Sequence, residues 1–316
     1  MNSTSRAASA GHARWRVYQR ERFPLLAHAP LVAAFSASAV CFSSLVRGHI
    51  AVPRLDALMV AFVTSLLFFL QLRIADEFKD FEEDSRFRPY RAVPRGLVTL
   101  RELAWVGAAA AAIQLALAVW LEPPIAWLLV LAWVYLALMT REFFAPHWLK
   151  AHPVVYMASH MLILPLVDLY ATACDWWLAG LRRPPDGLFW FLAVSYLNGI
   201  VIEIGRKTRA AVDEERGVDT YSALWGMRGA VLAWLAALVC TAGAAWWAAG
   251  RIGVATPMLA LLIVLLACCG VVAARFVRNP VTGSGKSIEA ISGIWTVLMY
   301  IGLGIVPLAW AVWRAS

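Results

Sequence analysis

Charge is scarce in this chain. Only 15% of its 316 residues are Asp, Glu, Lys or Arg, against roughly one quarter in soluble domains, which argues against a solvated globular surface. Cysteine is scarce as well. Cys41, Cys174, Cys240, Cys268 and Cys269 are odd in number and lie mostly inside apolar runs. No pair has metal-ligand spacing, so a zinc module and a disulfide framework are excluded and core packing is left as their role. Acidic residues are outnumbered, 20 against 28 Lys and Arg, for a net charge of +8. The basic residues sit in short segments between apolar runs, the pattern of a polytopic membrane protein, and no nucleic-acid partner is expected. A cleaved signal is not expected either. Ala37-Ser38-Ala39 imitates a processing site, but the polar leader is too long and the apolar stretch carries His28 and two prolines.

Apolar sequence is what the chain has in abundance: 61% of it is hydrophobic and the mean hydropathy is +0.68. Nine runs of spanning or near-spanning length fall at 24–46, 55–75, 102–121, 124–140, 153–173, 187–204, 229–248, 255–274 and 289–312. Pro123-Pro124 and Pro153 stand at span starts, where a missing N–H costs little. The expected architecture is all-α, with nine transmembrane helices around a central cavity. Residues 1–23 form a polar, Arg-rich leader, expected to be mobile over its first dozen positions, and 24–316 a single membrane domain. With the N-terminus inside, 22 of the 28 Lys and Arg fall on the inner side and six on the outer. That asymmetry predicts a cytoplasmic N-terminus, two large polar loops (76–101 and 205–228) on the cytoplasmic side, and residence in the bacterial inner membrane.

The first of these loops packs six carboxylates into the nine residues from Asp76 to Asp84. Asp76, Asp80 and Asp84 recur every four residues, and Glu77, Asp80 and Asp84 at three and four. On a helix continuing from the preceding span, each set shares one face. Like charges at that spacing repel unless a cation lies between them, and Mg²⁺ is usually held by a few carboxylates together with substrate phosphates. Arg86, Arg88, Arg91 and Arg95 follow, with side chains suited to forked contacts with phosphate. A solvated charged loop is the plainer alternative; the strict period and single sign favour a metal–diphosphate site.

In the second loop, Asn198 and Glu203 close an apolar span, then come Arg206, Lys207 and Arg209, and then Asp213-Glu214-Glu215. A carboxylate near the end of a membrane helix is costly unless it faces a cavity or a partner. Glu203 is therefore a site candidate, with a local pair to Lys207 as an equal alternative. Arg141 ends the fourth span, and His147, Lys150 and His152 around Trp148 read as an interfacial belt. His160 and Asp168, eight residues apart on one face of the fifth span, either line the cavity or bond a neighbouring helix. Finally, Arg95-Gly96-Leu97-Val98-Thr99 and Arg216-Gly217-Val218-Asp219-Thr220 share R-G-x-x-T, which suggests two related helix–loop units facing one cavity.

The first loop resembles the opening motif of the UbiA-type intramembrane prenyltransferases, N-D-x-x-D-x-x-x-D followed by R-P-x-x-S-G-x-[IV]-[ST]. Here it stands as Asp76-Glu77-x-x-Asp80-x-x-x-Asp84, then Arg91-Ala92-Val93-Pro94-Arg95-Gly96-Leu97-Val98-Thr99. Asp76 takes the opening Asn position and Arg95 the usual Ser. Nine helices with both polar loops cytoplasmic is also that family's arrangement. The family's second motif, D-x-x-D-x-x-x-D ahead of two glycines, departs. With Gly217 and Gly226 as those glycines, Asp213 takes the last Asp position and Arg206 and Arg209 the earlier two; a frame slid by three puts Glu203 first.

The resemblance implies Mg²⁺-dependent transfer of an isoprenyl group from a polyprenyl diphosphate to an unidentified, lipophilic acceptor in the membrane. It makes Asp76, Glu77, Asp80, Asp84 and Asp213 the expected Mg²⁺ ligands. Glu203 joins Asp76, Asp80, Asp84 and Asp213 in the catalytic set. Arg91, Arg141, Arg206, Lys207 and Arg209 are expected on the diphosphate, where cations of the second loop stand in for part of the metal charge. Two other functions remain open. A UbiA-like terpene cyclase would need no acceptor, and a non-catalytic carrier of an anionic lipid would suit the cationic second motif. The D-G-x-x-A-R element of CDP-alcohol phosphotransferases is absent.

Overall fold

The polar leader is a helix, α1 (Ser3–Arg22), where composition had suggested a mobile segment. This computed structural model describes residues 3–215 and 217–315, with side chains from Ala13 onward. Arg14, Tyr18 and Arg22, four residues apart on one face of α1, dock it. Arg14 pairs with Glu102 at 2.5 Å and Arg22 with Glu77, while Tyr18 is buried in a small cluster with Ile74, Val93, Val98 and Leu103.

The membrane domain follows as α2 (Leu25–Val46), α3 (Leu55–Lys79), the short α4 (Phe81–Phe87), α5 (Leu100–Leu121) and α6 (Ala126–Thr140). Then come α7 (Pro146–Ala151), α8 (Pro153–Met161), α9 (Ile163–Trp176), α10 (Leu188–Arg206) and α11 (Tyr221–Arg251). The chain ends with α12 (Ala255–Arg278), α13 (Gly285–Leu303) and α14 (Ile305–Ala315). Among the described residues, nine helical segments are long and apolar enough to cross a membrane: α2, α3, α5, α6 with its leading turn, α8–α9, α10, α11, α12 and α13–α14. They coincide with the nine apolar runs, and the protein is an integral membrane protein of all-α class.

Fully buried Trp176, Trp234 and Trp295 mark the packed centre, and Trp234 Nε1 donates to Ser292 Oγ at 2.9 Å. Without a hydrophobic difference between helix and lipid, close backbone approach carries the packing. The break between α13 and α14 shows it. A Cβ built on Gly304 would lie 2.3 Å from the carbonyl oxygen of Ser38 in α2. Gly304→Ala is expected to force these helices apart, costing about 1–3 kcal/mol. A clear drop in melting temperature in detergent checks this, and an unchanged one would contradict the contact.

The shared R-G-x-x-T sequence is a device for starting a helix. Gly96 and Gly217 both take left-handed φ, +77° and +76°, and three residues on, Thr99 and Thr220 cap α5 and α11. Thr99 completes a capping box with Glu102. The leading Arg216 of the second copy lies outside the described residues. Gly217 also joins the two loops, since a Cβ there would meet the Phe87 ring of α4 at 2.9 Å.

Candidate active site

α3 carries the acidic motif to the mouth of a cavity of about 790 Å³ between the two polar loops. The cavity is strongly cationic. Arg22, Arg73, Lys79, Arg88 and Arg91 line it from the first loop and α1, and Arg141 and Lys150 from the α6–α7 region. Arg206, Lys207 and Arg209 complete the set from the second loop. Against these ten cations stand six carboxylates: Asp76, Asp80, Glu83, Glu142, Glu203 and Asp219. Beyond the charged rim, Leu72, Met139, Met157, Met161, Ile163 and Leu164 make an apolar wall. An anionic head with an apolar tail is the ligand such a lining suits.

Of the predicted acidic set, Asp76, Asp80 and Glu203 reach the cavity. Asp76 is half exposed, with Arg73 at 3.4 Å. Glu77, Asp84 and Asp213 do not line it, and each is partnered elsewhere. Glu77 lies one residue round the helix from Asp76 and is buried against Arg22. Asp84 is buried against Arg91 at 2.5 Å and Arg88 at 3.3 Å. Here the expected four-residue period fails for a local reason: the helix is interrupted at Asp80 (φ −93°, ψ 4°), where α3 ends and α4 begins. Asp213 accepts a hydrogen bond from the Gly283 amide at 2.8 Å and faces a separate groove of about 510 Å³. All five residues expected on a diphosphate, Arg91, Arg141, Arg206, Lys207 and Arg209, line the cavity. Arg206 and Arg209 border the smaller groove as well.

Residues 40–289, well over half the chain, match the UbiA prenyltransferase family. The chain belongs to that family. Its fold is similar to a UbiA homologue from Aeropyrum pernix K1, with TM-score 0.64 and 17% identity over 87% of this chain and 96% of that one. A UbiA homologue from Archaeoglobus fulgidus bound to DMAPP and Mg²⁺ gives TM-score 0.59 and 14% identity over 92% and 99%. Digeranylgeranylglyceryl phosphate synthase gives TM-score 0.61 and 12% identity over 95% and 99%. At such identities the likeness shows the fold. No curated protein sequence matches the chain.

In this UbiA family member, Glu203 both lines the cavity and pairs locally, with Arg206 at 2.7 Å and Lys207 at 2.9 Å. The two readings of Glu203 were not exclusive. Among the described residues no group of three or more His, Cys, Asp or Glu is arranged to hold a metal by itself. Sequence reasoning missed Arg22, because the leader carried no sign of where it docks. Burial opposes the Arg22 charge, but the hydrogen bond and charge of Glu77 outweigh it and raise its pKa above the ordinary value. It also missed the trio of Lys79, Glu142 and Tyr156. Lys79 Nζ donates to the Tyr156 hydroxyl and pairs with Glu142 at 3.2 Å. Lys79 inside an acidic run was the available signal. His160 lines the cavity, whereas Asp168 is buried and accepts from Tyr300 at 2.8 Å. A break at Leu162 separates α8 from α9, so these two residues do not share one straight helix face.

Proposed function

We propose that this protein transfers an isoprenyl group from a polyprenyl diphosphate to a lipophilic acceptor, with a diphosphate site built from fixed cations and the two carboxylates Asp76 and Asp80. The observation that carries this reading is the excess of cations over carboxylates around one cavity with an apolar wall. Arg141, Arg206, Lys207 and Arg209 bind the diphosphate oxygens through charged hydrogen bonds. The tail lies along Met139, Met157, Met161 and Leu164. As the allylic C–O bond breaks, charge grows on the leaving diphosphate, and preorganised cations in a water-poor site stabilise that growth.

Asp76 and Asp80 fit Mg²⁺ in its usual mode, one or two carboxylates completed by substrate phosphates and water. When bound, the metal would supply further charge neutralisation to the diphosphate. Arg22 and Arg91 instead compensate Glu77 and Asp84 within the protein. Fewer carboxylates at the cavity therefore call for fewer metal ions.

The pairing of Glu203 with two cations also favours a second reading, a carrier that binds an anionic lipid without breaking it. Pyrophosphate release separates them. Protein in nanodiscs with geranylgeranyl diphosphate, Mg²⁺ and a lipid extract is expected to release pyrophosphate and form a prenylated product. Binding without release would favour the carrier, and release with no acceptor would favour a cyclase. We place the N-terminus in the cytoplasm of a bacterial cell with the protein in its inner membrane, on the distribution of Lys and Arg. A reporter fused after Gly250 is expected outside and one after Asn279 inside; the reverse at either point would overturn this orientation.

A further inference from the structure

One wall of the cavity is built from uncommon backbone and stacked rings. Glu142, Phe143 and Phe144 all have left-handed φ, 47°, 52° and 59°, a costly conformation for residues with a Cβ, which the surroundings must hold in place. The turn sets Glu142 against Lys79 and Phe143 edge-on to the His160 ring, with centroids 5.9 Å apart. The His160 ring also stacks on Tyr156, at 3.9 Å and 13°, and Tyr156 is itself tied to Lys79. His160 is thus fixed by two aromatic neighbours.

Its proton is placed too. Nδ1 lies 2.8 Å from the backbone carbonyl oxygen of Tyr156, which can only accept. In the neutral ring Nδ1 therefore carries the hydrogen and Nε2 presents a bare lone pair. His160 is only 8% exposed and lines the cavity, yet Nε2 has no hydrogen-bond partner. Buried polar atoms are nearly always partnered. A diphosphate cannot supply the partner, because its oxygens are acceptors as well. The atom calls for a donor. The charged groups whose fields reach the ring, Lys79, Glu142 and Glu203, are all paired already. The Lys79 ammonium beside Tyr156 disfavours a second cation, so a neutral hydroxyl fits better than an ammonium group.

We propose that His160 binds the acceptor on its side of the cavity, and that the acceptor presents a hydroxyl that donates to Nε2. The inference rests on the prenyltransferase reading. The hydroxyl oxygen bonds to the allylic carbon, the bond from that carbon to diphosphate breaks with its electron pair leaving on the diphosphate, and the hydroxyl proton is taken up by the released diphosphate, while Nε2 holds the hydroxyl in place.

The test is equilibrium binding of hexylphenol and its methyl ether to protein in nanodiscs, with partition into empty nanodiscs subtracted. Wild type is expected to prefer the phenol roughly five- to tenfold, the worth of one hydrogen bond. His160→Phe, which keeps an aromatic ring for the stack, is expected to abolish the preference. His160→Gln, whose amide oxygen can accept, is expected to restore part of it. Pyrophosphate affinity, measured on the same preparations, is expected to stay within about twofold across the three proteins, the change left by removing a group that makes no contact with the anion. Equal affinity for phenol and ether in wild type, or a preference that survives in His160→Phe, would overturn the proposal. A wild type that fails to bind pyrophosphate would instead overturn the diphosphate reading, and the phenol comparison would still decide the role of His160.

Discussion

Asp80→Ala is expected to abolish Mg²⁺-dependent binding of a prenyl diphosphate. Asp76 and Asp80 are the two carboxylates at the motif's spacing that line the cavity; Glu83 lines it off that spacing, and Glu77 and Asp84 are engaged by arginines. A metal held by two protein carboxylates depends on each of them. Losing an outer-shell partner alone typically costs 10–100-fold in metal affinity, so losing a direct ligand should exceed about 100-fold. Titrating geranylgeranyl diphosphate with Mg²⁺ and with chelator shows the effect. The variant should bind equally weakly in both conditions, while wild type should differ between them. Glu77→Gln provides the contrast. It should lower stability, because Arg22 would lose its buried partner, and should leave the Mg²⁺ response in place.

The second large effect belongs to the second loop. Arg206→Gln combined with Lys207→Gln is expected to weaken diphosphate binding by about a hundredfold or more, since a hydrogen bond to a charged group contributes roughly 1.5–3 kcal/mol. The double variant also strands Glu203, which is buried between these two cations. Adding Glu203→Gln removes that stranded charge and should recover melting temperature without recovering affinity. If affinity returns with stability, the two cations serve the fold and not the ligand.

The membrane architecture was legible because apolar length and charge asymmetry are linear properties of a sequence. Nine runs gave nine helical segments among the described residues, and the boundary that moved furthest, at α11, moved because Gly226 lets the helix start earlier through a left-handed kink (φ +72°). The site was legible only in part. Asp76 and Asp80 share a face by helical period, but the break at Asp80 sends Asp84 into a buried pair. Glu77 faces a leader whose docking depends on Tyr18 finding a small apolar cluster. Burial, with Glu77 adding to it, also pushes the Tyr18 hydroxyl well above its ordinary pKa range. Such contacts join residues over fifty positions apart, and no local pattern announces them. The left-handed turn at Glu142–Phe144 is less legible still, because none of its residues is a glycine or asparagine and tertiary contacts alone hold it.

The most direct measurement compares geranylgeranyl diphosphate with geranylgeraniol for binding to the purified protein in nanodiscs, with Mg²⁺ and with chelator. If ten cations around one cavity form a diphosphate site, the diphosphate should bind at least a hundredfold more tightly than the alcohol with Mg²⁺ present. A reduced preference should persist in chelator, because the fixed cations remain, and inorganic pyrophosphate should compete. Equal affinity for the two lipids, or indifference to pyrophosphate, would contradict the account.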